Sequence, residues 1–344
     1  MTFLTTAVLS VSLTAVPIPM AAAPQTTCTV KNDLLDEISG LAADGDGYVV
    51  VNDGADDPNG RKIFFLNRKC KVTDKVSYPS QPRDTEDLAR GADGTIWVGD
   101  IGDNSRVRET IGVWRLKPGG KSPTLFRMSY PDGAHDAEAL LVGSDGVPIM
   151  VTKDPLTAGV YVPAGPLTAD GTTPLRRAGD FTIPITATSN PYGFKGRLVV
   201  TGGAVSADGR RIALRTYADA FEFDVPEGQT DAEGLVKTIS GGTARTVALP
   251  DEPQGESIAY SADGSALLTI SEMADGLKKV DLLSHPLDGV PAAAQVTTEP
   301  TKAAKAAPAS NNRELPTGAL IAGGALAIAA GLIGLVIARL RRRR

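Results

Sequence analysis

Short runs of apolar residues alternate with polar ones along most of the chain and are bounded by Asp-Gly pairs, the pattern of half-buried strands joined by hairpins. The clearest instance runs from Asp84 to Asn104. It holds an apolar pair (Leu88, Ala89), an Asp-Gly turn (Asp93, Gly94), a β-rich run from Thr95 to Val98 and an acidic end at Asp100 and Asp103. Four other segments share its register. Leu41 precedes Asp46-Gly47 and a strand through Asp53, and Leu140 precedes Asp145-Gly146 and a strand through Asp154. Gly203 stands where the apolar anchor belongs before Asp208-Gly209 and a strand to Tyr217, and Ile258 precedes Asp263-Gly264 and a strand to Glu272. A further apolar strand trails each hairpin, at 63–66, 112–116, 159–162, 220–225 and 279–283. Fourth strands are expected at 125–128 and 245–249.

Units of roughly 50 residues with about four short strands each have the period of β-propeller blades, and a sandwich has no reason to repeat one turn motif at that spacing. The expectation is an all-β propeller of five four-stranded blades over residues 24–290. A sixth blade could be accommodated in the gap between Gly146 and Asp208 or closed jointly by the two ends of the domain.

The ends read differently. Residues 1–23 carry an apolar stretch and Ala21 to Ala23, resembling a secretory signal, although no Lys or Arg precedes the stretch. From 291 to 317 the chain turns to Ala, Thr, Pro and Lys without periodicity, a solvated spacer. Residues 318–338 carry no charge and are long enough for a transmembrane helix, and the arginines of 339–344 place the tail in the cytoplasm. The expected location is the cell membrane, with an extracellular ectodomain on a single-pass anchor. Leu315-Pro316-Thr317-Gly318 resembles a cell-wall sorting signal with its middle residue missing, which leaves covalent attachment to the wall as the alternative.

Formal net charge is −5 for the whole chain, and the ectodomain without the arginine tail is more acidic still. Nucleic acid, which demands a basic face, is excluded as a partner. The two cysteines, Cys28 and Cys70, read as a disulfide in an exported chain. It would tie the N-terminal segment to the first unit, with Cys70 at its fourth-strand position.

Candidate chemistry lies at one repeated position. Glu86, Glu138 and Glu256 each stand two residues before the apolar anchor of their unit, and Ser39 and Thr201 fill that place in the other two. Equivalent positions of a propeller surround a common axis. These carboxylates, with Asp100 and Asp103 and the strand-end residues Asp53, Asn104 and Glu272, would therefore offer hard oxygens to Ca²⁺ at the channel mouth. The alternative is that each Glu accepts backbone N–H bonds and ties neighbouring blades together. No G-x-S-x-G elbow is present. Of the two histidines, His135 beside Asp136 is a candidate base, while His285, followed by Pro286, reads as a surface residue. Trp97 and Trp114 read as core.

The segments Glu86 to Ala89, Asp100 to Asn104, Asp136 to Leu140, Ser206 to Tyr217 and Pro253 to Tyr260 resemble secreted propeller proteins common in actinobacteria, a group loosely placed with the esterase-like phytase propellers. The resemblance implies a propeller, export and a phosphoesterase label, with no catalytic position transferable residue by residue. Two functions stand open: a surface-anchored propeller that binds or scaffolds an extracellular ligand or protein, and a calcium-dependent hydrolase of phosphoesters, esters or lactones.

Overall fold

The computed structural model describes residues 23–54, 57–273 and 277–287. The predicted signal, spacer, membrane span and arginine tail lie outside these residues. No helix among the described residues is long and apolar enough to cross a membrane.

The chain is all-β and forms five four-stranded antiparallel units. The N-terminal strand β1 (Gln25–Val30) is followed by the first unit, β2 (Ile38–Asp44), β3 (Gly47–Asn52), β4 (Lys62–Asn67) and β5 (Val72–Ser77). The second holds β6 (Asp87–Arg90), β7 (Ile96–Asp100), β8 (Ile111–Leu116) and β9 (Thr124–Ser129). The third holds β10 (Ala137–Val142), β11 (Pro148–Thr152), β12 (Thr157–Pro163) and β13 (Thr172–Thr182). A single helical turn α1 (Gly193–Gly196) leads to the fourth, β14 (Gly202–Val205), β15 (Arg211–Arg215), β16 (Asp219–Asp224) and, after helix α2 (Ala232–Gly241), β17 (Arg245–Ala248). The fifth holds β18 (Gly255–Tyr260), β19 (Ala266–Ser271) and β20 (Val280–Pro286), and its fourth strand is β1 from the other end of the chain.

The first strands of the units, β2, β6, β10, β14 and β18, pack each on the next, and β18 returns onto β2, so they close a ring. Second and third units are also joined by a short parallel pairing of β13 with β9. Hydrophobic clusters fill the spaces between units. Val51, Leu88 and Trp114 lie between the first and second, and Leu141, Val160, Leu214 and Phe221 between the third and fourth. Trp97 and Trp114 are both buried, as expected.

Three local features differ from the sequence expectation. In the first unit the hairpin turns at Gly45, whose φ is +54°, while Gly47 has become a strand residue pressed on the Leu66 carbonyl. Helix α2 was not foreseen; Asp231 caps it by accepting from the Gly234 N–H at 3.0 Å, and it lays Leu235, Val236 and Ile239 on the third and fourth units. Strand β1, from the N-terminal side of the described residues, pairs with β20 and completes the fifth unit. Cys28 on β1 is bonded to Cys70, which sits in the β4–β5 turn rather than on the fourth strand, with Cα atoms 5.7 Å apart. The disulfide therefore crosses the seam where the ring closes.

Candidate functional site

The strand order puts two kinds of loop on one face of the ring: those joining second to third strands, and those joining one unit to the next. The Asp-Gly hairpins occupy the other face. On the first face the inner strands begin, and in three of them the pairing register slips at one residue: Ser39 in β2, Glu138 in β10 and Glu256 in β18. Such bulges re-aim a side chain that would otherwise alternate into the unit. Glu86 takes the same place just before β6.

The bulged and equivalent residues divide by type. Ser39 donates to the Thr85 carbonyl at 3.3 Å and Thr201 to the Gly255 carbonyl at 3.1 Å, each tying its unit to the next. The glutamates instead cluster with other acids, although Glu256 also accepts from Tyr217 of the preceding unit. Glu86, Asp136 and Glu138 have donor oxygens within 4.8 Å of one another, as do Asp53, Asp84 and Glu86, and again Asp53, Glu256 and Glu272. Shared members link the three sets into one basket of seven carboxylates at the start of the inner strands. Glu86 Oε1, Asp136 Oδ2, Glu138 Oε2 and Glu256 Oε2 are buried and have no hydrogen-bond partner. Gly102 allows the crowding, because a Cβ there would lie 2.0 Å from Glu86 Oε1 and 2.6 Å from Asp84 Oδ2.

One ammonium enters the basket. Lys153 forms an ion pair with Glu138 and faces the Tyr217 ring, 5.9 Å from its centroid. Tyr217 in turn donates to Glu256 at 3.2 Å, and Gln254 donates to Glu256 at 3.3 Å and to Glu272 at 2.6 Å. Burial alone would lower the Lys153 pKa, but Glu138 above all reverses this and holds the ammonium charged. The carboxylates are driven the other way. Burial first, then Asp53 and Glu138, pushes Glu86 well above the usual range; burial and Glu256 do the same to Asp53. Burial raises Glu138 against the pull of Lys153, and burial with Glu256 and Asp53 pushes Glu272 up to about 10. Like charges this close in a low-dielectric site must be compensated by protons or by a cation.

Asp100 and Asp103 lie beside the basket but outside it. Asp100 accepts from the Asp84 N–H at 3.1 Å and from Arg108 at 2.9 Å, while Asp103 accepts from the N–H groups of Val107 and Arg108 at 3.0 and 2.7 Å. Both brace the loop that carries Gly102. His135 and Asp136 diverge. Asp136 accepts from the Asp103 N–H at 2.8 Å and turns its other oxygen into the basket. His135 lies in a separate set, 3.1 Å from Asp132, 3.4 Å from Asp154 and 3.1 Å from the Tyr161 hydroxyl; Asp154 above all raises its pKa.

His285 is not a surface residue. It is buried at 4% exposure, its Nε2 3.0 Å from the Thr269 hydroxyl, beside the buried Arg215–Glu252 pair, and burial lowers its pKa to about 4. Asp87 was not singled out from the sequence. Fully buried on the axis side of β6, it accepts from the Leu140 N–H at 2.9 Å and the Gly203 N–H at 3.2 Å, binding three units together below the basket.

No family model matches the chain, and no curated protein does. Among solved structures the chain is similar to a streptogramin B lyase at 15% identity over 72% of this chain and 64% of that one, less than two thirds of its length, with a TM-score of 0.34. It is also similar to the PQQ-bound aldose sugar dehydrogenase of Streptomyces coelicolor (11% identity, 78% and 99% covered, TM-score 0.40). A gluconolactonase of Xanthomonas campestris is comparable (16%, 76% and 87%, TM-score 0.41). These are distant likenesses of fold, and the fold itself stands on the sheet topology.

Proposed function

We propose that the protein is an exported, membrane-tethered five-bladed propeller that binds a divalent cation in the carboxylate basket and uses that mouth of its channel to take an extracellular ligand. Five closed units and the latch of β1 onto β20 support the blade count. One observation carries the cation: Glu86, Asp136 and Glu138 lie within ligand distance of one another and each keeps a buried carboxylate oxygen without a hydrogen-bond partner, as does Glu256 in the adjoining set that shares Asp53. Buried polar groups are satisfied in folded proteins, and an oxygen-only donor set favours Ca²⁺ over softer metals. Lys153 supplies a single positive charge to seven acids.

A second reading is hydrolysis. A cation held there would acidify a bound water, and carboxylates of the basket not needed as ligands stand ready to take its proton.

Calorimetric titration of the EDTA-stripped full chain tests the cation. The expected result is one Ca²⁺ per chain with a dissociation constant of about 10⁻³ M or tighter, weakened at least tenfold in Glu138→Gln. No saturable heat at millimolar Ca²⁺ would sink the reading.

A further inference from the structure

Among the described residues the large apolar side chains most exposed are Val107, Leu156, Ile185, Phe194 and Leu277, each between 50 and 75% exposed. All five lie on the basket face. Val107, Leu156 and Leu277 are on loops joining second to third strands, and Ile185 and Phe194 are on the segment between β13 and β14. Among the described residues the Asp-Gly face has none.

Four of the five form one arc. Arg106, next to Val107, pairs with Asp154 at 2.7 Å, which joins the Val107 loop to the Leu156 loop. The Leu156 N–H donates to the Leu198 carbonyl at 2.8 Å, and the Leu156 carbonyl accepts from the Ile183 N–H at 2.9 Å. That places Leu156 between the stretches carrying Ile185 and Phe194. Among the described residues, Leu156 and Arg106 are also two of the three non-glycine residues with positive φ, at +70° and +53°. A leucine in that region is disfavoured, and an exposed apolar side chain gives the fold nothing in return. The same short loop joins arc and basket, since Lys153 reaches inward to Glu138 three residues before Leu156 reaches outward.

We propose that arc and basket form one binding site for an uncharged amphiphile, an ester or lactone whose carbonyl oxygen meets the cation and whose alkyl chain lies along Leu156, Ile185 and Phe194. This rests on the cation reading above for its polar end only. Charge selects the head group. A bound cation ionises the carboxylates that ligate it, and once more than three of the seven are ionised they outweigh Lys153 and the divalent ion; a phosphoester or free carboxylate then meets like charge, while a neutral carbonyl does not. An apolar arc beside the mouth selects the tail.

The test is calorimetry of the Ca²⁺-loaded full chain with γ-lactones of increasing alkyl side chain, and with alkyl phosphates of matched length. Lactone affinity should tighten by about twofold to fourfold per added methylene, the upper figure being that of full burial. Phe194→Ser and Leu156→Asn, the latter a residue at ease with positive φ, should flatten that dependence and leave Ca²⁺ affinity unchanged. An unchanged chain-length dependence in both variants would overturn the arc. Tighter binding of the phosphates, or no lactone binding to a protein that holds Ca²⁺, would overturn the substrate class and leave the cation site standing. Failure to bind Ca²⁺ with the chain-length dependence intact would remove the cation and keep the arc.

Discussion

Glu86→Gln separates a metal basket from a structural one, because the two readings predict opposite signs for the same change. Glu86 is buried, its Oε1 has no donor, and its near neighbours are the carboxylates of Asp53, Asp84, Asp136 and Glu138. Without a cation, burial and its acidic neighbours hold Glu86 towards its protonated form, so the substitution removes little charge and offers an N–H₂ to carboxylate oxygens that lack donors. Each new hydrogen bond to a charged group is worth about 1.5–3 kcal/mol before relaxation, so the EDTA-treated variant should melt no lower than the parent, and up to a few degrees higher. With Ca²⁺ the sign reverses. At a hundredfold excess over the dissociation constant, Ca²⁺ should stabilise the parent by about 2.7 kcal/mol, or about 5–10 °C for a domain of this size. One unit charge about 4 Å from a divalent ion contributes several kcal/mol even at an effective dielectric near 20, so the variant should lose most of that gain. Differential scanning calorimetry in EDTA and in millimolar Ca²⁺ reads both quantities. A variant that melts lower than the parent in EDTA and gains as much from Ca²⁺ would refute the argument.

Asp87→Asn should cost about 1–3 kcal/mol by setting an amide donor against backbone donors, equally with and without Ca²⁺, in a urea titration. Opening the Cys28–Cys70 bridge, which spans 42 residues, should cost about 4 kcal/mol in the chain-entropy model, read as a shift in the same titration between parent and a double Cys→Ser variant. The pH dependence follows from the raised carboxylates. Their protonated forms are favoured in the fold, so the stability they contribute is present below the unfolded value near 4.5 and is lost as pH rises towards the folded one, about 10 for Glu272. In EDTA the melting temperature should fall from pH 5 to pH 8, and saturating Ca²⁺ should reverse that slope; a flat profile in EDTA would contradict it. Protease shaving of intact cells should release the propeller, and protection where a known surface domain is cleaved would count against the topology.

Much of this was legible because a repeat turns sequence position into spatial position. The register of Glu86, Glu138 and Glu256 before their apolar anchors brings them to one axis, and Asp53 and Glu272, read as strand ends, meet them there. Lys153 occupies the place of those two: each donates its backbone N–H to the residue just before or at the start of its inner strand, Asp136 in the case of Lys153. The repeat therefore marked that position, but the acidic pattern drew attention to Asp154 instead. Asp100 and Asp103 look like ligands in one dimension; only the fold shows their oxygens taken by loop N–H groups and Arg108. Asp87 and His285 were hidden for a different reason. Burial of a polar residue depends on partners far along the chain, 116 residues in the Asp87–Gly203 bond, and local polarity patterns carry no trace of them.

Whether the orphaned carboxylate oxygens hold a cation is read most directly by diffraction from crystals grown with Ca²⁺. Bound Ca²⁺ should give anomalous density in the basket within about 2.3–2.6 Å of oxygens from Glu86, Asp136 and Glu138. Density only on exposed acids, or a basket that stays closed around Lys153 at millimolar Ca²⁺, would contradict the cation reading.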